Sequence, residues 1–351
     1  MEQTASSFSA SAAALAFVVA VLISVAIIVA LLPWLRRVAL AKPNARSSHS
    51  EPTPQGGGIA VVAATVIAAW SALLFLYGKA DGAGSLLPVL TAVILIAAVG
   101  AADDMRSLGV VPRFVLQAVA VALVIYSSPG ELRIVPVLPW WIERILLLVG
   151  GLWFVNLVNF MDGLDWMSVV EVVPITAALA LIGAFGFLPP AATIVSYALC
   201  GAMVGFAHFN RPVAKLFLGD VGSLPIGLLV GWLLVALAGH HALAAAVLLP
   251  LYYLADATIT LLRRLANGEP VWRAHRSHFY QRATDRGFTV NQVVGHVFAV
   301  NLGLAALALA TLAAPCLLGE LAALVCGAAL VGCLLFAFAR GRGLMTSRAR
   351  R

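Results

Sequence analysis

The chain has 351 residues, of which 62% are hydrophobic and 11% are charged, and its mean hydropathy is +1.01. A soluble domain does not hide so large an apolar fraction, so the composition excludes a soluble globular protein and indicates one that lies in a bilayer. In such a protein the formal net charge of +7 reflects mainly the Lys and Arg residues that determine its orientation in the membrane.

Apolar runs recur along the chain, and eleven of them approach the length that a helix needs to cross about 30 Å of hydrocarbon. They are residues 8–33, 58–77, 86–102, 112–128, 142–160, 172–187, 190–207, 224–240, 242–262, 291–313 and 315–339. The pattern predicts an all-α, polytopic membrane protein with about 11 transmembrane helices, formed by one integral-membrane domain over residues 1–351.

Nineteen of the 22 Lys and Arg residues fall in alternate connections. Those connections are residues 34–57, 103–113, 208–223 and 263–290 and the tail 340–351. The positive-inside rule places these segments, together with the acidic connection 159–171, in the cytoplasm, which puts the N-terminus outside and the C-terminus inside. A cleaved signal peptide is the alternative for the first run, but the cations follow that run rather than precede it, as in a retained anchor.

Three acidic clusters lie where apolar spans end on the predicted cytoplasmic side, a position that usually marks chemistry. They are Asp103-Asp104, the set Asn156, Asn159, Asp162 and Asp165, and Asp220 between two glycines. Paired carboxylates near arginines suit a proton acceptor beside bound phosphates, and a carboxylate in a Gly-rich turn suits Mg²⁺. Solvated helix ends and ordinary helix caps are the alternative interpretation.

Two further connections carry cations. Residues 42–58 contain Lys42 and Arg46 and end in three glycines, and a simple Pro/Gly connector is the alternative there. Residues 263–290 contain His275, Arg276, His278 and Arg282, which could donate hydrogen bonds to phosphate and sugar oxygens. A zinc site is an alternative, but the two histidines have no third ligand in the loop.

The ordered motifs resemble a known family. They are Lys42-Pro-Asn-x-Arg with Pro52-Thr-Pro-x-Gly-Gly-Gly, Asp103-Asp-x-x-x-Leu, Asn156-x-x-Asn-x-x-Asp-Gly-x-Asp, Phe217-x-Gly-Asp-x-Gly-Ser and the late His/Arg loop. Together, over roughly residues 15–340, they resemble the polyprenyl-phosphate N-acetylhexosamine-1-phosphate transferases (glycosyltransferase family 4). That family is related to the phospho-MurNAc-pentapeptide transferase of peptidoglycan synthesis.

The resemblance implies transfer of a GlcNAc-, QuiNAc- or FucNAc-type sugar 1-phosphate from a UDP-sugar to undecaprenyl phosphate. UMP would be released, and the product would start O-antigen or other cell-surface polysaccharide synthesis. It also implies Mg²⁺, with Mn²⁺ as an alternative, and a multi-pass protein of the bacterial inner membrane whose active site faces the cytoplasm. Nucleic acid is not an expected partner, and a homodimer is compatible with the family.

Matching positions imply individual roles. Asp103 and Asp104 correspond to the catalytic acidic pair, and Asn159 and Asp220 correspond to the metal site. The implied substrate-binding residues are Lys42, Arg46, Asp162, Asp165, Asn210, Phe217, His275, Arg276, His278 and Arg282. Phe217 would stack on uracil, and the loop 275–282 would select the sugar in the manner of the O-antigen-type branch.

Two departures and three alternatives accompany this interpretation. Trp166 replaces a glycine of the third motif, and Val110-Val111-Pro112 replaces a more polar stretch. The alternatives are the peptidoglycan transferase activity, a two-step reaction through a phospho-aspartate in place of the favoured direct attack, and a transporter or lipid flippase. The last fits poorly, because transporter acids belong near the bilayer midplane and in inverted repeats, whereas these acids lie at span ends.

Overall fold

A computed structural model describes residues 2–41, 52–77, 86–106, 108–270 and 275–341, with side chains described from residue 13 onward. The helices are α1 (Glu2–Val38), α2 (Gly57–Tyr77), α3 (Leu87–Met105), α4 (Val110–Ser127), α5 (Trp140–Met161), α6 (Met167–Ala184), α7 (Pro190–Asn210), α8 (Asp220–Gly239), α9 (Leu243–Leu248), α10 (Leu251–Ala266), α11 (Phe279–Asp285), α12 (Val290–Ala313) and α13 (Leu317–Arg340). Two short strands, β1 (Leu40–Ala41) and β2 (Thr53–Pro54), pair antiparallel.

Within these described residues, 10 helices are long and apolar enough to cross a membrane. This confirms the prediction of a nearly all-helical polytopic membrane protein. The difference from the expected number, about 11, lies in the run 242–262, which breaks into α9 and α10 at Leu249-Pro250. Pro250 lacks the backbone N–H that would continue the helix and its ring crowds the preceding turn, so a continuous apolar run does not become one span.

Helix α8 lies at the centre of the bundle and packs against α2, α3 and α5. Glycines make this possible, because small residues let helix backbones approach closely. A Cβ atom added at Gly58 of α2 would lie 2.2 Å from the Cα of Gly222, and one added at Gly100 of α3 would lie 2.2 Å from the carbonyl oxygen of Asp220. Two helices therefore press on the first turn of α8, which carries Asp220.

Candidate active site

Asp104 joins the end of α3 to the start of α8. Its Oδ1 accepts a hydrogen bond from the backbone N–H of Asp220, and its Oδ2 accepts one from Val221, each at 3.0 Å. These N–H groups have no partner within the helix, so the carboxylate supplies the missing acceptors and also stabilises the helix dipole. Gly219, at φ +77°, makes the approach possible, because a Cβ there would lie 2.7 Å from Asp104 Oδ2.

Asp103, its neighbour in sequence, faces the start of α4 instead. Its Oδ1 accepts from the backbone N–H of Leu108 at 2.6 Å, and its Oδ2 accepts from Nη1 of Arg113 at 2.7 Å. The same guanidinium nitrogen lies 3.9 Å from Oδ2 of Asp220. Two of the predicted acids therefore meet around one arginine.

Asn159 completes this group from α5. Its side-chain nitrogen donates to Oδ1 of Asp220 at 2.7 Å and to the hydroxyl of Ser223 at 2.8 Å. Asn156, one turn earlier, is turned away: its amide donates to Gln117 Oε1 and to the Leu152 carbonyl, both at 2.8 Å. Of the predicted polar helix face, Asn159 reaches the carboxylates and Asn156 holds α5 against α4.

The donor set at this point fits a divalent cation that shares its coordination with a substrate. Asp103, Asp104 and Asp220 concentrate negative charge, and Arg113 is the cation in contact with two of them. The described residues contain no group of three or more His, Cys, Asp or Glu side chains arranged to hold a metal by themselves. Mg²⁺ commonly takes one or two carboxylates together with waters and substrate phosphates, so an open, partial ligand set is the form it uses.

Asp162 lies just beyond α5 and accepts a hydrogen bond from the Ser168 hydroxyl at 2.5 Å. Burial raises its pKa to about 6, and the negative charges of Asp104 and Asp165 act in the same direction against the Ser168 hydrogen bond. It therefore gains its proton nearer to neutrality than an ordinary aspartate does.

Asp165 and Asn210 fix the turn that follows α5. Oδ2 of Asp165 accepts from the Ala214 N–H at 3.0 Å, and Oδ1 of Asn210 accepts from the Trp166 N–H at 2.8 Å. Trp166 has φ +63°, the left-handed conformation that favours glycine, and its indole N–H donates to the Ala207 carbonyl at 2.6 Å. Trp166, which stands where the family has glycine, thus adopts the same left-handed backbone conformation, and its indole attaches the turn to the end of α7.

Phe217 lies between the Gly-rich connection and α8. Its N–H donates to the Pro54 carbonyl at 2.8 Å, and its carbonyl accepts from Gly57 at 2.9 Å. Its side chain is half-buried. These hydrogen bonds hold residues 54–57 beside the acidic site, where Gln55 Nε2 donates to the Asp104 carbonyl at 3.3 Å. The predicted substrate-binding cations of this connection, Lys42 and Arg46, lie outside the described residues.

The late loop is organised by Asp256, a buried acid of α10 that sequence reasoning missed. Its carboxylate accepts from the backbone N–H groups of Phe279 at 3.0 Å and Tyr280 at 3.1 Å, and so caps α11. Nδ1 of His278 lies 3.3 Å from Asp256 Oδ1, and His278 is only 2% exposed. An acid within the apolar run 242–262 was the available signal.

Tyr280 connects this loop to the acidic site. Its hydroxyl donates to the Phe160 carbonyl at 3.1 Å, and a Cβ added at Gly163 would lie 2.2 Å from that hydroxyl. The start of α11 therefore rests directly on the turn after α5. The late loop and the acidic clusters, far apart in sequence, form one region.

The other predicted residues of the late loop lie nearer the surface. Arg276 donates to the Thr284 hydroxyl at 3.2 Å and pairs with Asp285 at 3.3 Å, and His275 Nδ1 lies 2.8 Å from the Ser277 hydroxyl. Arg282 is half-buried. Burial lowers the pKa of Arg263, and the charges of Arg282 and Arg286 act in the same direction.

Comparisons show which known proteins this chain resembles. Residues 86–238 match the model of glycosyl transferase family 4, a range that contains Asp103, Asp104, Asn159 and Asp220. A decaprenyl-phosphate N-acetylglucosaminephosphotransferase of Mycobacterium leprae is 28% identical over 300 residues, which cover 74% of this chain and 73% of the relative. A protein of the same name from Mycolicibacterium smegmatis is 32% identical over 219 residues, 56% of this chain and 53% of that protein.

A third relative is the probable undecaprenyl-phosphate N-acetylglucosaminyl 1-phosphate transferase of Bacillus subtilis, 24% identical over 300 residues, 78% of this chain and 80% of the relative. The fold and the site define a polytopic membrane protein with an acidic centre at one end of its bundle. Over residues 86–238 the chain is similar to glycosyl transferase family 4, and its similarity to the relatives supports the polyprenyl-phosphate branch that the motifs indicated.

Proposed function

We propose that this chain transfers an N-acetylhexosamine 1-phosphate from a UDP-sugar to undecaprenyl phosphate or a related polyprenyl phosphate, with release of UMP. The observation that carries the proposal is the meeting of Asp103 and Asp220 around Arg113, with Asp104 bonded to the first turn of α8, within the region that matches the family. The relatives are named for transfer of N-acetylglucosamine, so UDP-GlcNAc is the first donor to consider.

The reaction is a phosphoryl transfer. An oxygen of the lipid phosphate attacks the phosphorus that bears the sugar, the P–O bond to UMP breaks, and the electron pair leaves with UMP. Both substrates are polyanions, so the site must hold their charge and align the attacking and leaving oxygens. Arg113 can share its donors between Asp103 and a phosphate oxygen.

The two adjacent aspartates divide the work. Both oxygens of Asp104 accept backbone N–H groups of α8, so Asp104 is a positioning residue that holds Asp220 in place. Asp103 is held by one side chain and one loop N–H. When Arg113 turns toward a bound phosphate, an Asp103 oxygen becomes free to accept the proton of the lipid phosphate. This arrangement favours direct attack over a phospho-aspartate.

Mg²⁺, or Mn²⁺ in its place, is the cofactor that this proposal requires. Asp220 and Asn159 would hold it, with Asp103 beside them. The bound ion would neutralise the diphosphate and favour the departure of UMP. Because binding of the ion would depend on the carboxylate of Asp220, Asp220 is the first residue to mutate as a test of the metal site.

The remaining predicted residues would recognise the donor. Phe217, Asp162, Asp165 and Asn210 would form the nucleotide side, and Lys42 and Arg46 would add positive charge. His275, Arg276 and Arg282 would contact the sugar, and His278, buried beside Asp256, would hold the loop in place. A UDP-sugar is made in the cytosol, so a bacterial inner-membrane location with the site facing the cytoplasm follows from the proposal.

The test is UMP formation by the purified protein in detergent. UDP-GlcNAc, UDP-QuiNAc and UDP-FucNAc are each supplied with undecaprenyl phosphate and MgCl₂. UMP should form only when both substrates and the metal are present, most rapidly with UDP-GlcNAc. Asp220→Asn should abolish most turnover, whereas Glu320→Gln, which removes an acid from the start of α13, should not. Absence of UMP with all three donors, from folded protein, would refute the proposal.

A further inference from the structure

Helix α6 contains a proline within its membrane span. Pro174 has no backbone N–H, so the carbonyl of Val170, four residues earlier, lacks the hydrogen bond that an uninterrupted α-helix would give it. The ring of a proline inside a helix also crowds that carbonyl. An unpaired carbonyl inside a bilayer is unfavourable because no water reaches it, so we expect a neighbouring helix to supply a donor.

Asn301 of α12 is that donor. Its side-chain nitrogen donates to the Val170 carbonyl at 2.9 Å and to Oε2 of Glu171 at 2.6 Å. Asn301 is 2% exposed and Glu171 is 1% exposed, so both hydrogen bonds lie within the bundle, where α6 packs against α12. Asn301 therefore attaches α12 to two consecutive residues of α6 at the place where the proline interrupts that helix.

The contact depends on this single donor group. Among the described residues, Glu171 takes part in no ion pair, and its second oxygen, Oε1, has no hydrogen-bond partner. The carboxamide of Asn has two N–H donors, and here both are used on α6. Loss of the Asn301 side chain would leave two buried acceptors of α6 without this donor, which is more unfavourable than the loss of one exposed hydrogen bond.

The segment of α6 that Asn301 holds leads directly to the candidate site. The N–H of Val170 donates to the Trp166 carbonyl at 2.9 Å, so the same residue also closes the turn in which Trp166 is left-handed. In the first turn of α6, the Ser168 hydroxyl donates to Asp162 Oδ1 at 2.5 Å. The position of Asp162, on the proposed nucleotide side, therefore depends on where the first turn of α6 lies.

Helix α12 is also joined to the late loop. The N–H of Phe288 donates to the Ala283 carbonyl at 3.1 Å, which ties the start of α12 to α11. Asn301 lies 11 residues after Val290, or about 17 Å further along the helix at a rise of 1.5 Å per residue. The polar segment after α5 and the late loop are thus joined twice, by the hydroxyl of Tyr280 and, deeper in the bundle, by Asn301.

We propose that Asn301 is a positioning residue for binding of the nucleotide sugar. It replaces the hydrogen bond that Pro174 removes from α6, and so it fixes the first turn of that helix, on which Asp162 depends. A shift of this turn should weaken donor binding more than it slows the transfer step, because the carboxylates that act in the transfer are held by contacts among α3, α4 and α8. This role rests on the proposed function.

The kinetics of UMP formation by Asn301→Ala test this role. The KM for UDP-GlcNAc should rise about tenfold, because two buried acceptors lose their donor, whereas kcat should change by less than about threefold. Thr311→Val is the matched control. Thr311 is also buried in α12, but its hydroxyl donates to the Ala308 carbonyl of the same helix at 2.7 Å, so the KM of Thr311→Val should stay at the wild-type value. Equal KM values for the two variants, or a fall in kcat alone in Asn301→Ala, would overturn the proposal.

Pro174→Ala provides a rescue, because alanine restores the N–H that can donate to the Val170 carbonyl. In the Pro174→Ala background, Asn301→Ala should raise the KM by about threefold or less. If Asn301→Ala does not fold, as judged by gel filtration, the double variant should fold and is compared with Pro174→Ala alone. The same tenfold rise in the rescued background would overturn the proposal.

Thermal unfolding of these proteins tests the replaced hydrogen bond without any activity. The loss of stability caused by Asn301→Ala should be smaller in the Pro174→Ala background, and equal losses in the two backgrounds would overturn the proposal. Absence of UMP from the folded wild-type protein would instead count against the proposed function itself.

Discussion

Asp103 and Asp104 are adjacent in sequence but do different things in the structure. Asp104 bonds the backbone of α8, whereas Asp103 bonds Arg113 and the loop before α4. The difference follows from helix geometry, because consecutive residues point about 100° apart around the axis. A motif of two aspartates therefore does not imply two equivalent carboxylates.

We predict that Asp103→Asn lowers turnover by about 10²–10⁴ with little change in thermal stability, because it removes the proton acceptor and leaves α8 in place. Asp104→Asn should lower both, because the amide nitrogen of Asn cannot accept the second N–H of α8. Rate measurements beside thermal unfolding of each purified variant separate the two effects. Equal stability of the two variants would show that Asp104 does not hold α8.

The raised pKa of Asp162 predicts a pH dependence of stability. Its pKa is about 6 in the folded chain and about 3.9 in the unfolded one, so the folded state binds more protons between these values. The contribution of Asp162 to stability is then fully present below about pH 4 and is lost as the pH rises through about 6.

The variant Asp162→Asn cannot titrate at this position and should not lose stability in this way. The unfolding temperature of the variant minus that of the wild type should therefore increase between pH 4.5 and pH 6.5 and stay constant above that range. The measurement is a thermal unfolding series in detergent with a chelator present, so that metal binding does not contribute. Parallel curves for the two proteins across the range would mean that Asp162 titrates normally.

At the scale of helices, the close approach of α3 to α8 sets the geometry of the acidic centre. Gly100 is the point of contact, because a Cβ there would meet the Asp220 backbone at 2.2 Å. Backbone cannot move aside as the end of a flexible side chain can. Any side chain at this position must push α8 away from the aspartates of α3.

Gly100→Ala should therefore destabilise the protein by about 1–3 kcal/mol and reduce transferase activity, because overpacking shifts the backbone that carries Asp220. Gly150→Ala is the matched control, since a Cβ there meets nothing within 4 Å and alanine is the better helix former. Thermal unfolding and the rate of UMP formation are measured for both variants. Unchanged activity in Gly100→Ala would show that this helix contact does not position the site.

Much of the helical arrangement could be predicted from the sequence, because apolar length alone identifies a membrane span. The prediction of one span over residues 242–262 was wrong for a local reason. Pro250 separates α9 from α10 inside a run that is apolar on both sides. The acidic clusters were found because carboxylates are rare beside long apolar spans and usually mark function there. The role of Asp256 could not be found in this way, since it caps a helix 23 residues further along the chain, a contact that only the folded chain creates.

At the scale of the whole molecule, the polar groups are divided between the two ends of the bundle. Asp103, Asn159, Asp220 and the late loop meet at one end, and Arg144 with the Arg133–Glu143 pair lies at the other. The orientation of these ends, with the N-terminus outside, stays a prediction from the distribution of Lys and Arg. A site at one end of the bundle is what a reaction between a membrane lipid and a water-soluble donor requires.

The central claim is that the sugar and its attached phosphate move together onto the lipid. UDP-GlcNAc labelled with ³²P in the phosphate next to the sugar distinguishes this from other reactions when it is incubated with the purified protein, undecaprenyl phosphate and Mg²⁺. The account predicts that the label enters the organic phase in equal amount to the UMP released, and that Asp103→Asn and Asp220→Asn prevent this. Label that stays in the aqueous phase while UMP is formed would contradict it, because the protein would then be hydrolysing the donor.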